Sequence, residues 1–212
     1  MSASPKKARR ILFLGNSITW HGPSADVDWS GNWGMAASAP EKDYVHVLVR
    51  SISEMTGEAP EILVENIADF ERQYESCDVE DRFKKHLRFQ ADLVIVAIGE
   101  NVPALSSEEA QRGFKERLVQ LLALLKGNGN PTLVVRSSFM PDETRDKVLE
   151  QACREAGGIF VDIRPLSQDE SNYARSERTY SHGGVAGHPG DRGMQAIADA
   201  LLEAIRTHLT RI

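Results

Sequence analysis

The chain has 212 residues, 41% of them hydrophobic and 26% charged, and a formal net charge of −6. That apolar content supports a packed core and excludes global disorder, and the acidic balance argues against nucleic acid or an anionic membrane as the main partner. Cys77 and Cys153 are the only cysteines, which excludes a metal-ligand cluster or a disulfide framework; no metal and no cofactor is expected.

Residues 1–10 carry Lys6, Lys7, Arg9 and Arg10 with no apolar segment behind them. They read as a solvated tail rather than a signal peptide, and no stretch approaches a transmembrane length. A cytoplasmic protein is the expectation, with a trimmed exported form as the alternative. Residues 11–212 then read as one domain without repeat or linker.

Ile11-Leu12-Phe13-Leu14 is a short apolar run closed by Gly15-Asn16-Ser17-Ile18-Thr19, the pattern of a buried strand ending in a turn. Trp20 to Lys42 contains all three tryptophans, Trp20, Trp29 and Trp33, and is broken by Gly and Pro, so it reads as a long functional loop. Asp43 caps a helix from Tyr44 to about Thr56, with Gly57 as its stop. Ile62 to Val64 is a second strand, and Asn66 to Phe70 turns into a charged surface helix over about 71–87.

Asp92 to Ile98 is the strongest strand, apolar enough for the centre of a parallel sheet. Ser106 and Glu109 form a capping box for a helix that places Phe114, Leu118, Leu121, Leu122 and Leu125 on one face. Pro131 to Val135 is the fourth strand, ending at Arg136, and a helix over about 142–156 leads to a fifth strand, Ile159 to Ile163. Arg164 to Gly187 is polar and aperiodic; Pro189 then opens a last helix with Met194, Ile197, Leu201 and Ile205 on its buried stripe.

Strands and helices alternate throughout, which predicts a doubly wound α/β domain with about five parallel strands. Ligands bind such sheets at the carboxyl ends of the strands. Ser17, Asn66, Asn101 and Arg136 follow the first four strands, and His188 sits at the last loop-to-helix junction. A Ser, a His and an Asn gathered there are the parts of acyl transfer: nucleophile, general base and oxyanion donor.

Three blocks in this order resemble the SGNH (GDSL-like) hydrolases over nearly the whole chain. Gly15-Asn16-Ser17-Ile18 is similar to their Gly-Asp-Ser-Ile/Leu, and Gly99-Glu100-Asn101-Val102 to their Gly-x-Asn-Asp. Val185-Ala186-Gly187-His188-Pro189 is similar to their Asp-x-x-His-Pro. The resemblance implies a flavodoxin-like three-layer α/β/α fold, Ser17 as nucleophile with its backbone N–H at the oxyanion, His188 as base and Asn101 as side-chain oxyanion donor.

Two departures matter. The family's acid position is Val185 here, so His188 is oriented by a backbone carbonyl near Val185, giving a Ser-His dyad, or by an acid from elsewhere such as Glu100 or Asp69. The family's Gly after the second strand is missing from Asn66 to Glu71, and one N–H from Ala68 to Glu71, with Ala68 the first candidate, takes its place.

The function expected is a serine esterase acting on a small acyl ester, such as an O-acetyl group on a carbohydrate. Trp20, Trp33, Glu100, Arg136 and His182 are the candidate substrate contacts, with a salt-bridge role at the surface or core edge the stronger reading of Arg136, a solvated or structural role that of Glu100 and Glu71, and a loop role open for His182. The alternative is a non-catalytic carbohydrate-binding protein on a decayed hydrolase scaffold, motivated by the missing Asp. A nucleotide binder lacks support, because the first turn has no Gly-rich phosphate fingerprint.

Overall fold

The structure is a computed structural model and describes residues 9–209. Residues 1–8 of the expected tail lie outside the described residues. Arg9 and Arg10 do not belong to a free tail: both backbone N–H groups donate to Asp92 Oδ2 at 3.1 Å, and Arg10 begins the first strand.

In chain order the elements are β1 (Arg10–Gly15), α1 (Tyr44–Thr56), β2 (Glu61–Asn66), α2 (Ala68–Gln73), α3 (Val79–Leu87) and β3 (Leu93–Ala97). They continue with α4 (Glu108–Gly127), β4 (Thr132–Arg136), α5 (Glu143–Glu155), β5 (Ile159–Val161), α6 (Gly183–Ala186) and α7 (Asp191–Leu209). The five strands are all parallel, in the order β2-β1-β3-β4-β5. Side chains alternate across each strand. Ile11 and Phe13 therefore join α1 and α7 in one core, while Leu12 and Leu14 join α2 to α5 in the other. This is a three-layer, doubly wound sheet whose winding reverses between β1 and β3, the point at which such sheets bind ligands beyond the strand ends.

Local signals place most helix starts. Asp43 and Asp142 accept from the third residue of their helices, His46 N and Arg145 N, as expected of N-caps. The cap of α4 is Ser107, which accepts from Ala110 N at 3.1 Å, so the expected Ser106–Glu109 box is one residue out of register. The expected helix over 71–87 is broken: α2 ends at Gln73, a 3₁₀ turn runs over Tyr74–Ser76, and Asp78 caps a separate α3. It is also less polar in its packing than its charges suggest. Phe70, Glu71, Tyr74, Phe83 and His86 are buried, with Phe70 edge-on to Phe83 and Tyr74 edge-on to Phe114.

The two long irregular segments are ordered against each other. Residues 20–42 fold back through bridges between His21 and Trp33 and between Ser24 and Trp29. Residues 164–187 run through short 3₁₀ turns, and Tyr173 bridges to Pro189. Arg178 and Tyr180 both donate to the Ala36 carbonyl, and Met35, Ala36, Ala174 and Val185 form a small apolar cluster between the segments. Among the described residues no helix is long and apolar enough to cross a membrane.

Gly99, just past β3, has φ +133°, a backbone that L side chains rarely adopt, and a Cβ there would lie 2.3 Å from Ser138 Oγ. Strain and overpacking each cost about 1–3 kcal/mol. Gly99→Ala is therefore expected to lower stability by about 2 kcal/mol or more, seen as a lower urea midpoint at an unchanged m-value; an unchanged midpoint contradicts the close packing of this turn.

Candidate active site

The turn after β1 presents Ser17. Asn16 organises that turn: its carbonyl accepts from Thr19 N and Trp20 N, and its side-chain Oδ1 accepts from Ile18 N at 3.2 Å. Ser17 is half-buried, its carbonyl accepts from Met35 N at 2.8 Å, and its own N–H has no hydrogen-bond partner among the described residues.

His188 comes to Ser17 from the other end of the chain. Its Nε2 lies 2.8 Å from Ser17 Oγ, and its Nδ1 lies 2.7 Å from the Gly184 carbonyl. A carbonyl oxygen only accepts, so Nδ1 carries the proton and Nε2 presents a lone pair to the serine hydroxyl. The backbone of His188 is fixed by its own N–H on the Val185 carbonyl and by Ala174 N on its carbonyl, at 3.0 and 2.9 Å. Burial lowers its pKa from 6.5, against the opposing effects of the Gly184 bond and the Glu100 charge.

Of the alternatives for orienting His188, the carbonyl one residue before Val185 is the contact observed. Asp69 is turned away, bound to Arg82 Nε at 2.9 Å. Glu100 acts on the imidazole only through its field. His182 caps α6, accepting Gly184 N–H on its Nδ1 at 3.2 Å, while the rest of its ring is exposed. It therefore fixes the helix that carries the Gly184 carbonyl.

Behind Ser17 lies a buried polar network. Arg136, fully buried at the end of β4, donates to Glu100 Oε1 at 2.8 Å, to the Ser137 carbonyl at 2.8 Å and to the Ala97 carbonyl at 3.5 Å. Glu100 also accepts from Phe139 N at 2.7 Å and Asn16 Nδ2 at 2.6 Å. Burial pushes the Glu100 carboxyl up, but Arg136 and these donors hold it below the ordinary range. The expectation that Glu100 and Arg136 contact substrate is thus corrected: their side chains are 4% and 0% exposed and bound to each other.

Glu71 is a second buried carboxylate, although the charged stretch that it opens predicts a surface helix. Its Oε1 accepts from Gly99 N at 2.6 Å, Asn101 N at 3.1 Å and Asn16 Nδ2 at 3.4 Å; its Oε2 accepts from Asn101 Nδ2 at 3.0 Å. Burial and the nearby Glu100 charge push its carboxyl up, against the hydrogen bonds from Gly99 and Asn101. Asn101 Oδ1 accepts from Arg72 at 2.7 Å. The only sequence cue to Glu71 is its neighbour Phe70, followed by Tyr74 one turn later.

Ala68 is corrected as an oxyanion donor. Its N–H donates to Asn66 Oδ1 at 3.0 Å, a local turn bond that occupies it. Asn66 Nδ2 meanwhile donates to the Trp20 carbonyl at 2.8 Å and pins the loop start to β2. Trp33 is tied into the fold: it is partly buried against the α1–α7 core, lies edge-on to Trp29 at 5.6 Å and donates to the Ala37 carbonyl. Trp20 keeps a side chain 37% exposed beside the Ser17 turn.

Comparison with known proteins follows this geometry. The GDSL-like lipase/acylhydrolase family model matches residues 13–196. Among solved structures, a GDSL-like lipase candidate from Parabacteroides merdae superposes with a TM-score of 0.61 at 20% identity, covering 94% of this chain and 96% of that one. A family two carbohydrate esterase from Clostridium thermocellum gives 0.62 at 16% identity, covering 98% of this chain and 66% of that one. Its counterpart from Cellvibrio japonicus gives 0.58 at 17% identity, over 97% and 62%. The chain spans about two thirds of these two esterase chains. A search of curated proteins finds no match to the sequence.

Asn16 Nδ2 donates to both buried carboxylates, so an Asp at this position would set a third acceptor between two others. Removing one partner of a buried charge pair costs about 3–5 kcal/mol. Asn16→Asp is expected to lose a similar amount at neutral pH, read from chemical denaturation, and a loss under 1 kcal/mol would contradict the network.

Proposed function

The chain belongs to the GDSL-like lipase/acylhydrolase family and is a carboxylic ester hydrolase, and from that premise we propose that it removes a small acyl group through a Ser17–His188 dyad. The observation that carries this reading is the 2.8 Å contact between Ser17 Oγ and His188 Nε2, with His188 Nδ1 held by the Gly184 carbonyl. His188 takes the Ser17 proton as Oγ attacks the ester carbonyl, then returns it to the leaving alcohol. A water activated by the same Nε2 hydrolyses the acyl-enzyme. The tetrahedral oxyanion is taken by the unpartnered Ser17 N–H and by Asn101 Nδ2.

A carbonyl in place of a carboxylate fixes the tautomer but gives the transient imidazolium less electrostatic support. The buried Glu100 charge supplies part of that support from a distance, since it raises the His188 pKa. The orientation from Gly184 also removes the motive for a non-catalytic binding protein, because the base has its partner without an Asp at 185.

A carbohydrate O-acetyl ester is the substrate class we favour. Two features support it: the exposed Trp20 indole beside Ser17, a flat surface suited to a sugar face, and the fold shared with family two carbohydrate esterases and with an acetyl xylan esterase from Butyrivibrio proteoclasticus.

Ser17→Ala and His188→Ala are each expected to lower kcat/KM for p-nitrophenyl acetate about 10³-fold or more, and Ser17→Ala to abolish labelling by a fluorophosphonate probe. Undiminished hydrolysis in either variant rejects the dyad. Because His188 must be neutral to act and its pKa lies below 6.5, the acid limb of kcat/KM should have its midpoint below pH 6.5. A midpoint above 6.5 would contradict the burial of the imidazole.

A further inference from the structure

A planar side-chain amide can be turned over at little steric cost, so an Asn that stabilises an oxyanion needs something to tell its oxygen from its nitrogen. Asn101 is gripped on both sides by groups of opposite kind. The Glu71 carboxylate can only accept, and it takes one Nδ2 hydrogen at 3.0 Å. The Arg72 guanidinium can only donate, and it binds Oδ1 at 2.7 Å. The second Nδ2 hydrogen has no partner among the described residues. Glu71 Oε1 also holds the backbone of the same turn, through Gly99 N and Asn101 N.

We propose that Glu71 and Arg72, adjacent on α2, are positioning residues that set the orientation of the Asn101 amide, so that its second Nδ2 hydrogen is presented to the oxyanion. The proposal rests on the reading of Asn101 as an oxyanion donor. It gives α2 a role that the missing Gly after β2 would otherwise leave unexplained. The element following β2 serves the oxyanion through side chains that hold Asn101, while the Ala68 N–H is occupied by Asn66. Glu71→Gln keeps the size of the side chain but places an NH₂ group where Asn101 donates. A turned Asn101 would relieve that conflict only by pointing its own NH₂ at Arg72, so neither orientation is satisfied.

The test is a double-mutant cycle on kcat and KM for p-nitrophenyl acetate, using Glu71→Gln, Arg72→Met and Asn101→Ala alone and in pairs. Asn101→Ala is expected to lower kcat about 10²-fold, the usual effect of losing one oxyanion donor. Glu71→Gln should lower kcat about tenfold or more with KM within twofold, and Arg72→Met about threefold or more. In the Asn101→Ala background each should cost less than twofold, because there is no amide left to orient. Labelling of Ser17 should survive in all variants.

A purely structural role would cost the same factor with or without Asn101, and that result overturns the proposal while leaving the oxyanion reading intact. An Asn101→Ala enzyme with full kcat overturns both. Arg72 is on the exposed side of α2, so if Glu71→Gln does not fold, the Arg72→Met arm of the cycle decides.

Discussion

One guanidinium stands against two buried carboxylates at the point where the sheet reverses its winding. Arg136 pairs with Glu100, while Glu71 has no ion-pair partner among the described residues and is satisfied by N–H donors. Charges taken out of water cost several kcal/mol each unless every lone pair is met, so the surroundings are constrained to supply hydrogens. The Asn16 amide supplies them to both carboxylates, Phe139 N to Glu100, and Gly99 N to Glu71. Such a network adds little net stability. Its effect here is geometric, since the turns after β1, β3 and β4 and the helix after β2 are tied into one arrangement beneath Ser17.

The fold was legible because its signals are local. Continuous apolar strands, capping Asp residues and Gly stops each occupy a few neighbouring positions, and they located all five strands to within two residues at most ends. Ser17 and His188 were legible for the same reason, each within a short block. The network was not. Glu71 lies in a charged stretch, and nothing in its neighbours distinguishes a carboxylate facing solvent from one facing Gly99 across the sheet edge. Glu100 and Arg136 were half legible: polar residues at strand ends suggest either a ligand site or an ion pair, and only their mutual contact shows that they form its floor. Trp33 likewise was one of three tryptophans in a loop, and which one is left exposed depends on how the loop folds back.

Val185 is where the chain departs most from its relatives' motif, and the departure has a structural counterpart. That side chain is buried among Met35, Ala36 and Ala174, so it joins the segment carrying His188 to the loop that follows Ser17. Met35 N in turn binds the Ser17 carbonyl. Packing therefore sets the distance between Ser17 and His188, and the neighbouring Gly184 carbonyl sets the imidazole tautomer. A carboxylate does both jobs with one charge; here they are divided between an apolar contact and a backbone dipole.

Ser17 and His188 are separated by 171 positions along the chain. During synthesis the hydroxyl would leave the ribosome early and remain an ordinary serine while every strand of the sheet was made. Its base arrives only with the α6–α7 segment, and is seated only when Ala174 and the Met35 loop are there to receive it. On the proposed dyad, a partly made or partly folded chain carries the Ser17 hydroxyl without its base, and ester hydrolysis becomes a report that the α6–α7 segment has docked. A long-range fold of this kind is slow to complete, and through that interval the proposed nucleophile waits for the residue that would take its proton.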